Sequence, residues 1–199
     1  GPFNAGLATW RVRGCHKHFP GRGEIPLATH ADLPTLEFAE TELGPHLEVF
    51  SRLSKEIPLV MMGHVITPCL GDGDRPASLS PALVHRATRL PGFPVVISDD
   101  IEMGALASCG DLPERVEAAL AARNHGVLVC KAFDRLPEIA AHLTKRMAAD
   151  SSLSTRLFEM AACMSTLRRE LCRGAAAIPA PDDTTVEQLW ERARLEAST

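Results

Sequence analysis

Four short strand-like segments recur along the chain, and each is followed by a stretch with helical spacing. The segments cover residues 14–19, 58–64, 95–99 and 126–130. Short apolar runs of this kind are typical of parallel strands buried between helices. In the stretches between them, apolar residues stand three and four positions apart on one face. The pattern predicts four consecutive strand–helix units and places the chain in the α/β class.

Local signals predict where the helices begin. Pro45 suits the first turn of the helix that follows the first strand, and Ser80 followed by Pro81 marks the next start. Asp111 and Asp134 are predicted to cap two further helices. A long helix is predicted over 153–173, then a linker over 175–181 and a short last helix from 185. Residues 1–174 are therefore predicted to form one domain, with 175–199 as linker and C-terminal helix.

Two architectures fit four such units. One is a small doubly wound sheet, and the other is half of a (β/α)₈ barrel, which typically needs about 250 residues. In both, the carboxyl ends of the strands meet at one edge of the sheet. We therefore expect convergence of the polar residues at the four strand ends, which are Lys17, His18, His64, Asp99, Asp100 and Lys131.

The third segment carries the strongest chemical signal. Val95, Val96 and Ile97 predict a buried strand, and the carboxylates of Asp99 and Asp100 follow directly. A carboxylate at the end of a buried strand is costly to desolvate, so it normally has a function or a partner. The alternative is structural, with Ser98 or Asp100 capping the next helix. The polar ends of the other three strands favour a functional site.

Composition narrows the classes of protein. The 199 residues are 45% hydrophobic and 23% charged, with a formal net charge of −4 and no tyrosine. This predicts a globular chain and argues against nucleic-acid and membrane partners. The six cysteines form no Cys-x-x-Cys pair and are predicted to be small buried hydrophobes in a reducing compartment. No apolar run is long enough to span a bilayer and no signal peptide opens the sequence, so we expect a cytoplasmic protein.

Three motifs together resemble the family 3 glycoside hydrolases, and best the bacterial β-N-acetylglucosaminidases. They are Lys17-His18-Phe19-Pro20-Gly21, Met62-Gly63-His64 and Ser98-Asp99-Asp100, and their spacing agrees over about residues 4–170. The resemblance implies a (β/α)₈ barrel of which this chain is the second half. The first half of the family's barrel, with an Asp and an Arg that hold the sugar, would then lie outside this sequence, and its Gly1-Pro2 start is treated as a fragment boundary.

The resemblance also implies roles for individual residues. Asp99 would be the nucleophile of a retaining hydrolysis, kept ionised by Lys17, and His30 would be the acid/base on a mobile loop over 21–34. No metal or organic cofactor is implied. The implied substrate-binding residues are Lys17, His18, Arg22, His64 and Met103.

The chain departs from the family's pattern at three places. Ala28 stands where the family has the Asp that orients the acid/base histidine, which predicts a slower or misoriented acid/base. Arg22 replaces a histidine and adds a bidentate donor, either towards Glu24 or towards a substrate carboxylate. Before the fourth strand the family has Ala-Gly-x-Asp where this chain has residues 123–126, a change interpreted as structural.

The leading hypothesis is a retaining exo-β-N-acetylglucosaminidase that acts on peptidoglycan fragments, with an N-acetylglucosamine-containing muropeptide as substrate. One alternative is a catalytically impaired, sugar-binding homologue, because of Ala28. Another is a relative of the β-glucosidase type. A purely structural α/β protein would not explain the motifs. Because a half barrel exposes unpaired strand edges, we expect poor solubility or a homodimer if these residues form the whole protein.

Overall fold

The computed structural model describes residues 2–9, 12–21, 33–71 and 73–173, together with 184, 187–188 and 191. The helices are α1 (Pro2–Thr9), α2 (Glu40–Leu53), α3 (Pro81–Thr88), α4 (Leu112–Ala121), α5 (Leu136–Ala149) and α6 (Ser151–Cys172). The strands are β1 (Cys15–Phe19), β2 (Leu59–Met62), β3 (Val95–Asp100) and β4 (Gly126–Leu128). Short 3₁₀ turns lie at Pro68–Leu70, Ala77–Leu79, Gly104–Cys109 and Phe133–Arg135.

The four strands form one parallel sheet in the order β1-β2-β3-β4. Successive parallel strands joined by right-handed crossovers place their helices on one face of the sheet. A doubly wound sheet instead reverses its strand order at a switch point, and this sheet has no such reversal. The predicted α/β class is confirmed, and the topology is of the (β/α) barrel type.

The helix-covered face of the sheet carries the core. One cluster joins Val60, Met62 and Val96 to side chains of α2 and α3, among them Phe50 and Leu83. A second cluster lies around α4 and extends to α5, with Val127 and Val129 packed against it. The opposite face is covered only in part, by α6. There a Cβ atom on Gly126 would lie 3.3 Å from the Met164 methyl group and 3.4 Å from the Ile97 side chain, which explains the need for a small residue.

Two of the predicted helix starts are confirmed. The Leu83 N–H donates to Ser80 Oγ at 3.1 Å, so Ser80 caps α3. Asp111 and Glu114 exchange side-chain and backbone hydrogen bonds in a capping box at the start of α4.

Two other predicted starts are wrong. Asp134 lies inside the 3₁₀ turn Phe133–Arg135, and α5 begins after that turn with no side-chain cap. Helix α2 begins before Pro45, because the Glu42 carboxylate accepts the Ala39 N–H at 2.7 Å and opens the helix there.

The prediction that the cysteines are buried is wrong as well. All six thiols are free, four of them are exposed and two are half-buried. Cys15 pairs with Leu59 on the face of the sheet that α2 and α3 leave uncovered, and Cys130 lies beyond the end of β4.

No helix in the described part of the chain is both long enough and apolar enough to cross a membrane. The predicted linker over 175–181 and most of the predicted last helix lie outside the described residues.

Candidate active site

Asp99 and His18 meet at the carboxyl edge of the sheet. His18 Nε2 lies 3.2 Å from Asp99 Oδ2, and the two side chains are 21% and 20% exposed. Strand β1 pairs Lys17 with Met61 but Phe19 with Met62, so His18 is an extra residue at a bulge. A bulge redirects a side chain, and here it accompanies the approach of His18 to Asp99 across the intervening strand β2. The Lys17–His18 and Phe19–Pro20 peptide bonds are both cis.

Asp99 also lies at an irregularity of the sheet. Strand β3 pairs Ile97 with Gly126 but Asp100 with Leu128, so three steps on β3 match two on β4. Ser98 Oγ accepts the Leu128 N–H at 3.2 Å and ties the two strands together at this point. Both members of the Asp99–His18 pair therefore lie where regular pairing is interrupted, as is common beside active sites.

Asp99 is held in its ionised form. Burial, the largest single influence, raises the pKa of this carboxyl group. The hydrogen bonds from His18 and from the Asp100 N–H (2.8 Å), together with the charges of His18 and His64, lower the pKa to about 2. The expected ionising partner, Lys17, forms no ion pair with Asp99. The prediction that the Lys17 ammonium group keeps Asp99 ionised is wrong, because the His18 side chain contacts the carboxylate instead.

His64 lies beneath this pair with both ring nitrogens occupied. Its Nε2 is 2.8 Å from the Asp100 carbonyl oxygen and its Nδ1 is 2.7 Å from Ser78 Oγ. Since a carbonyl only accepts, Nε2 carries the proton and Nδ1 accepts from the Ser78 hydroxyl. Burial lowers the pKa of His64, while the Asp100 carbonyl and nearby carboxylates oppose this. With 2% exposure and no free donor, His64 is placed to position the end of β3 rather than to bind a sugar.

Asn124 extends the buried network around His64 and Ser78, and sequence reasoning did not identify it as a site residue. Its side-chain amide donates to the Ser78 and Ala119 carbonyl oxygens, both at 2.8 Å. Asn124 and Ser78 are fully buried. The sequence contained no signal for this contact, because Asn124 and Ser78 are 46 residues apart and the amide binds main-chain atoms.

Glu102 is the second residue that sequence reasoning missed. Its carboxylate accepts the N–H groups of Cys130, Lys131 and Ala132 at 2.7, 2.6 and 3.0 Å. Burial raises the pKa of Glu102, but these three hydrogen bonds and the Lys131 charge lower it below its usual range. Glu102 thus fastens the loop after β4 to the turn after β3. Glu102 therefore holds the Lys131 backbone N–H at the carboxyl edge of the sheet, while the Lys131 side chain is exposed.

Contrary to the structural alternative, neither Ser98 nor Asp100 caps the next helix, because Met103 precedes the next 3₁₀ turn without a side-chain cap and Asp111 caps α4. Asp100 has a different structural role. Its Oδ1 accepts the Glu102 N–H at 3.1 Å, and its carbonyl accepts the Met103 N–H at 3.1 Å, so Asp100 organises the turn after β3. Met103, predicted to pack near a sugar, is half-buried in this turn. Asp99 and Asp100 therefore have different surroundings, and Asp99 is the carboxylate paired with an imidazole.

His30 and Arg22 lie outside the described residues, as does Ala28. The acid/base and loop roles therefore stay predictions. Within the described part of the chain, no group of three or more His, Cys, Asp and Glu side chains is arranged to hold a metal ion.

The geometry defines one reactive group. Asp99 is an ionised, partly exposed carboxylate at the carboxyl edge of a parallel sheet, with an imidazole beside it and a buried network below. Such a carboxylate suits nucleophilic attack on an electrophilic carbon or stabilisation of developing positive charge.

Comparison with known proteins identifies the class. The profile of the Glycosyl hydrolase family 3 N terminal domain matches residues 2–158. The chain therefore belongs to glycosyl hydrolase family 3.

Individual relatives agree with this assignment. The chain is 34% identical over 143 residues to a beta-hexosaminidase of Alkalilimnicola ehrlichii, covering 70% of this chain and 40% of that protein. It is 31% identical over 189 residues to a beta-hexosaminidase of Bordetella pertussis, covering 92% of this chain and 47% of that protein. The solved structure of a glycoside hydrolase family 3 beta-N-acetylglucosaminidase from Paenibacillus sp. str. FPU-7 matches with a TM-score of 0.76 at 25% identity, over 90% of this chain and 35% of that one. The chain thus spans less than half the length of each of these proteins.

Proposed function

We propose that this chain supplies the nucleophile of a retaining exo-β-N-acetylglucosaminidase. The observation that carries the proposal is the ionised Asp99 paired with His18 at the carboxyl edge of the sheet. The relatives named beta-hexosaminidase and the family match support the same chemistry.

The proposed reaction has two displacements. An Asp99 oxygen attacks the anomeric carbon of a terminal β-linked N-acetylglucosamine, and the bond from that carbon to the leaving-group oxygen breaks. His30 gives its proton to the leaving oxygen. Water then attacks the same carbon, passes a proton to His30 and releases Asp99 as a carboxylate, so the sugar leaves with its original configuration.

The neighbouring residues have supporting roles in this proposal. His18 donates a hydrogen bond to Asp99 and, with Lys17 on the same strand, is within the region where sugar hydroxyls would lie. Arg22 would bind a carboxylate of the substrate through its forked guanidinium. A peptide-bearing peptidoglycan fragment provides both an N-acetylglucosamine end and carboxylates, so we propose it as the substrate, in the cytoplasm.

Hydrolysis of 4-nitrophenyl β-N-acetylglucosaminide tests the nucleophile separately from the acid, because 4-nitrophenol leaves with little need for a proton. We expect Asp99→Ala to lose more than 10³-fold in kcat, given the usual weight of a covalent nucleophile. Added azide should then restore turnover and yield the α-glycosyl azide. Asp100→Asn is the matched control, since an amide oxygen still accepts the Glu102 N–H. Equal activity of Asp99→Ala and the parent chain would contradict the proposal.

The second candidate function is sugar binding without efficient turnover, and Ala28 is the observation in its favour. It predicts that the parent chain binds N-acetylglucosamine by calorimetry but does not cleave a chitobiose-type substrate with an unactivated leaving group. Ala28→Asp should then raise the rate on that substrate far more than on the 4-nitrophenyl glycoside. A parent chain that already cleaves both substrates at similar kcat would exclude this candidate.

A further inference from the structure

A separate cavity opens at the amino-terminal end of the sheet, away from Asp99. Its volume is about 210 Å³, and it lies between the end of α3, the turn that leads into β4 and the first half of α6. Its lining residues are His85, Thr88, Arg123, His125, Arg156, Glu159, Met160 and Cys163. Two arginines and two histidines against one carboxylate make this an unusually basic place in a chain of net charge −4.

Arg156 brings a fixed guanidinium group to the cavity. Its Nε is buried and has no hydrogen-bond partner among the described residues. One terminal nitrogen of the same guanidinium donates to Ser152 Oγ at 2.7 Å, which fixes the side chain along α6. Because Nε itself is inaccessible to water, an oxyanion in the cavity would bind the terminal nitrogens of the guanidinium rather than Nε.

His125 brings a donor in a defined tautomer. Its ring Nδ1 accepts the Val96 N–H at 3.0 Å, and the His125 backbone N–H donates to the Val96 carbonyl at 2.7 Å. Because Nδ1 accepts, Nε2 holds the proton of the neutral ring. Burial lowers the pKa of His125, so the ring stays a neutral donor at pH 7. The same contacts link the cavity wall to strand β3.

Arg123 occupies a strained backbone position. Its φ is +77°, in the left-handed region that favours glycine. Among the described residues, neither Arg123 nor Arg156 forms an ion pair with a carboxylate. Non-glycine residues held in such positions cluster at functional sites, and the Arg123 side chain lines the basic cavity.

We propose that this cavity binds a phosphate-type oxyanion through Arg123, Arg156 and the His125 Nε2–H. Forked guanidinium groups match tetrahedral oxyanions, and an N–H donor adds direction. About 210 Å³ equals the share of roughly seven liquid waters, at about 30 Å³ each, so it fits a phosphate group with a few waters but no long polyanion. The proposal is independent of the proposed glycosidase activity.

Isothermal calorimetry and thermal unfolding of the 199-residue chain test the site, with sodium phosphate compared with sodium chloride at matched ionic strength. We expect phosphate to bind and to raise the melting temperature, and chloride to do neither. Glycerol phosphate is the second probe. If it binds more tightly than inorganic phosphate, the ligand is a phosphate ester; if it does not bind, the site is for the free ion.

Four variants define the residues. Arg156→Gln and Arg123→Gly should each weaken phosphate binding about tenfold or more, the usual effect of losing a charge-assisted hydrogen bond. Glu159→Gln should strengthen it, because the one carboxylate of the lining is removed. Arg52→Gln, an exposed arginine of α2, is the matched control and should change nothing.

Arg123→Gly also separates a ligand role from a folding defect. Glycine suits a φ of +77°, so we expect this variant to unfold at the same temperature as the parent or higher without phosphate, and to lose only the rise that phosphate gives. Equal responses to phosphate and chloride in the parent chain would overturn the proposal. Unchanged binding in Arg123→Gly and Glu159→Gln would overturn it as well.

Discussion

His16 is a buried imidazole that the fold leaves without a partner. The residue is 6% exposed, and neither ring nitrogen has a hydrogen bond within the described part of the chain. Its ring packs at 6.4 Å from the Phe50 ring, centroid to centroid. An unpaired polar group in such a place costs about 1–3 kcal/mol.

The same burial makes the stability of the fold depend on pH. Burial lowers the pKa values of His16, His64 and His125 below the ordinary value of about 6.5. As the pH falls through about 6.5, the unfolded chain takes up protons that the folded chain does not, so the free energy of unfolding falls. Above that value the three rings are neutral in both states. Asp99 contributes nothing to this window, because its pKa of about 2 confines its effect to a lower pH.

We therefore expect His16→Leu to raise the free energy of unfolding by about 1–2 kcal/mol at pH 7 and to reduce its fall between pH 7 and pH 5. Urea unfolding at the two pH values measures both quantities. His46→Gln, at an exposed histidine of α2, serves as the control and should leave the free energy of unfolding at pH 7 unchanged. A lower stability of His16→Leu at both pH values would show that the ring has a partner after all.

For His64 we predict the opposite effect on stability, because both of its ring nitrogens are hydrogen-bonded. Replacing it with alanine removes the hydrogen bonds to the Asp100 carbonyl and the Ser78 hydroxyl and empties the space of a buried ring, so we expect a loss of about 3 kcal/mol. Ser78→Ala removes one of the two contacts and should cost about 1 kcal/mol. On the proposed function, turnover of the 4-nitrophenyl glycoside should fall in the same order. Equal stability of the two variants would argue against the network.

At this scale the sequence identified the pair that matters but not its partners. The motifs indicated His18 and Asp99, and the structure brings them to 3.2 Å. The sequence predicts Lys17 as the neighbour that keeps Asp99 ionised, because it does not reveal the bulge in β1. The sequence does not predict the roles of Glu102 and Asn124, because both bind main-chain atoms and such contacts produce no pattern of side chains.

At the scale of elements, side-chain caps were predictable and irregular turns were not. The side chains of Ser80 and Asp111 each accept the backbone N–H three residues ahead, which is a local signal. The predicted cap at Asp134 is wrong because a 3₁₀ turn that contains this residue precedes α5. Asp150 caps the following helix, α6. The bulges of β1 and β3 depend on the pairing with neighbouring strands, so no single segment of the sequence predicts them.

Glu102 offers a test at this scale. Glu102→Ala removes the acceptor of three consecutive N–H groups, so we expect faster hydrogen exchange at residues 130–132 and a stability loss of about 2 kcal/mol. Glu48→Ala on the exposed side of α2 is the control. Unchanged exchange at 130–132 would mean that the loop is fixed by other contacts.

For the whole molecule, local patterns left two architectures open because both use short apolar parallel strands. The uninterrupted strand order agrees with the barrel type and not with a doubly wound sheet, and the motif resemblance indicates the same architecture. That these four units are the second half of a barrel stays a prediction. It rests on the motif resemblance alone, and the chain spans less than half of each of the two beta-hexosaminidase relatives.

The last prediction concerns the parts of the sheet that the helices leave uncovered. Among the described residues, β1 and β4 are the edges of the sheet, and the partly covered face holds an apolar groove of about 510 Å³ between β2 and α6. The groove is lined by Leu59, Ala161, Met164, Ser165, Leu167, Arg168 and Leu171. An open edge beside an apolar groove favours association with a second copy of the same chain.

We therefore expect the 199-residue chain to be a dimer by light scattering, and Leu171→Lys to make it a monomer by placing a charge in the groove. Phe158→Lys removes a side chain of α6 that is 68% exposed and lies outside the groove lining, so it should leave the dimer intact. If both variants dissociate the dimer, general surface hydrophobicity is the cause rather than the groove. A monodisperse, stable monomer of the parent chain would refute the association, since it would show that four strands with two open edges are stable alone.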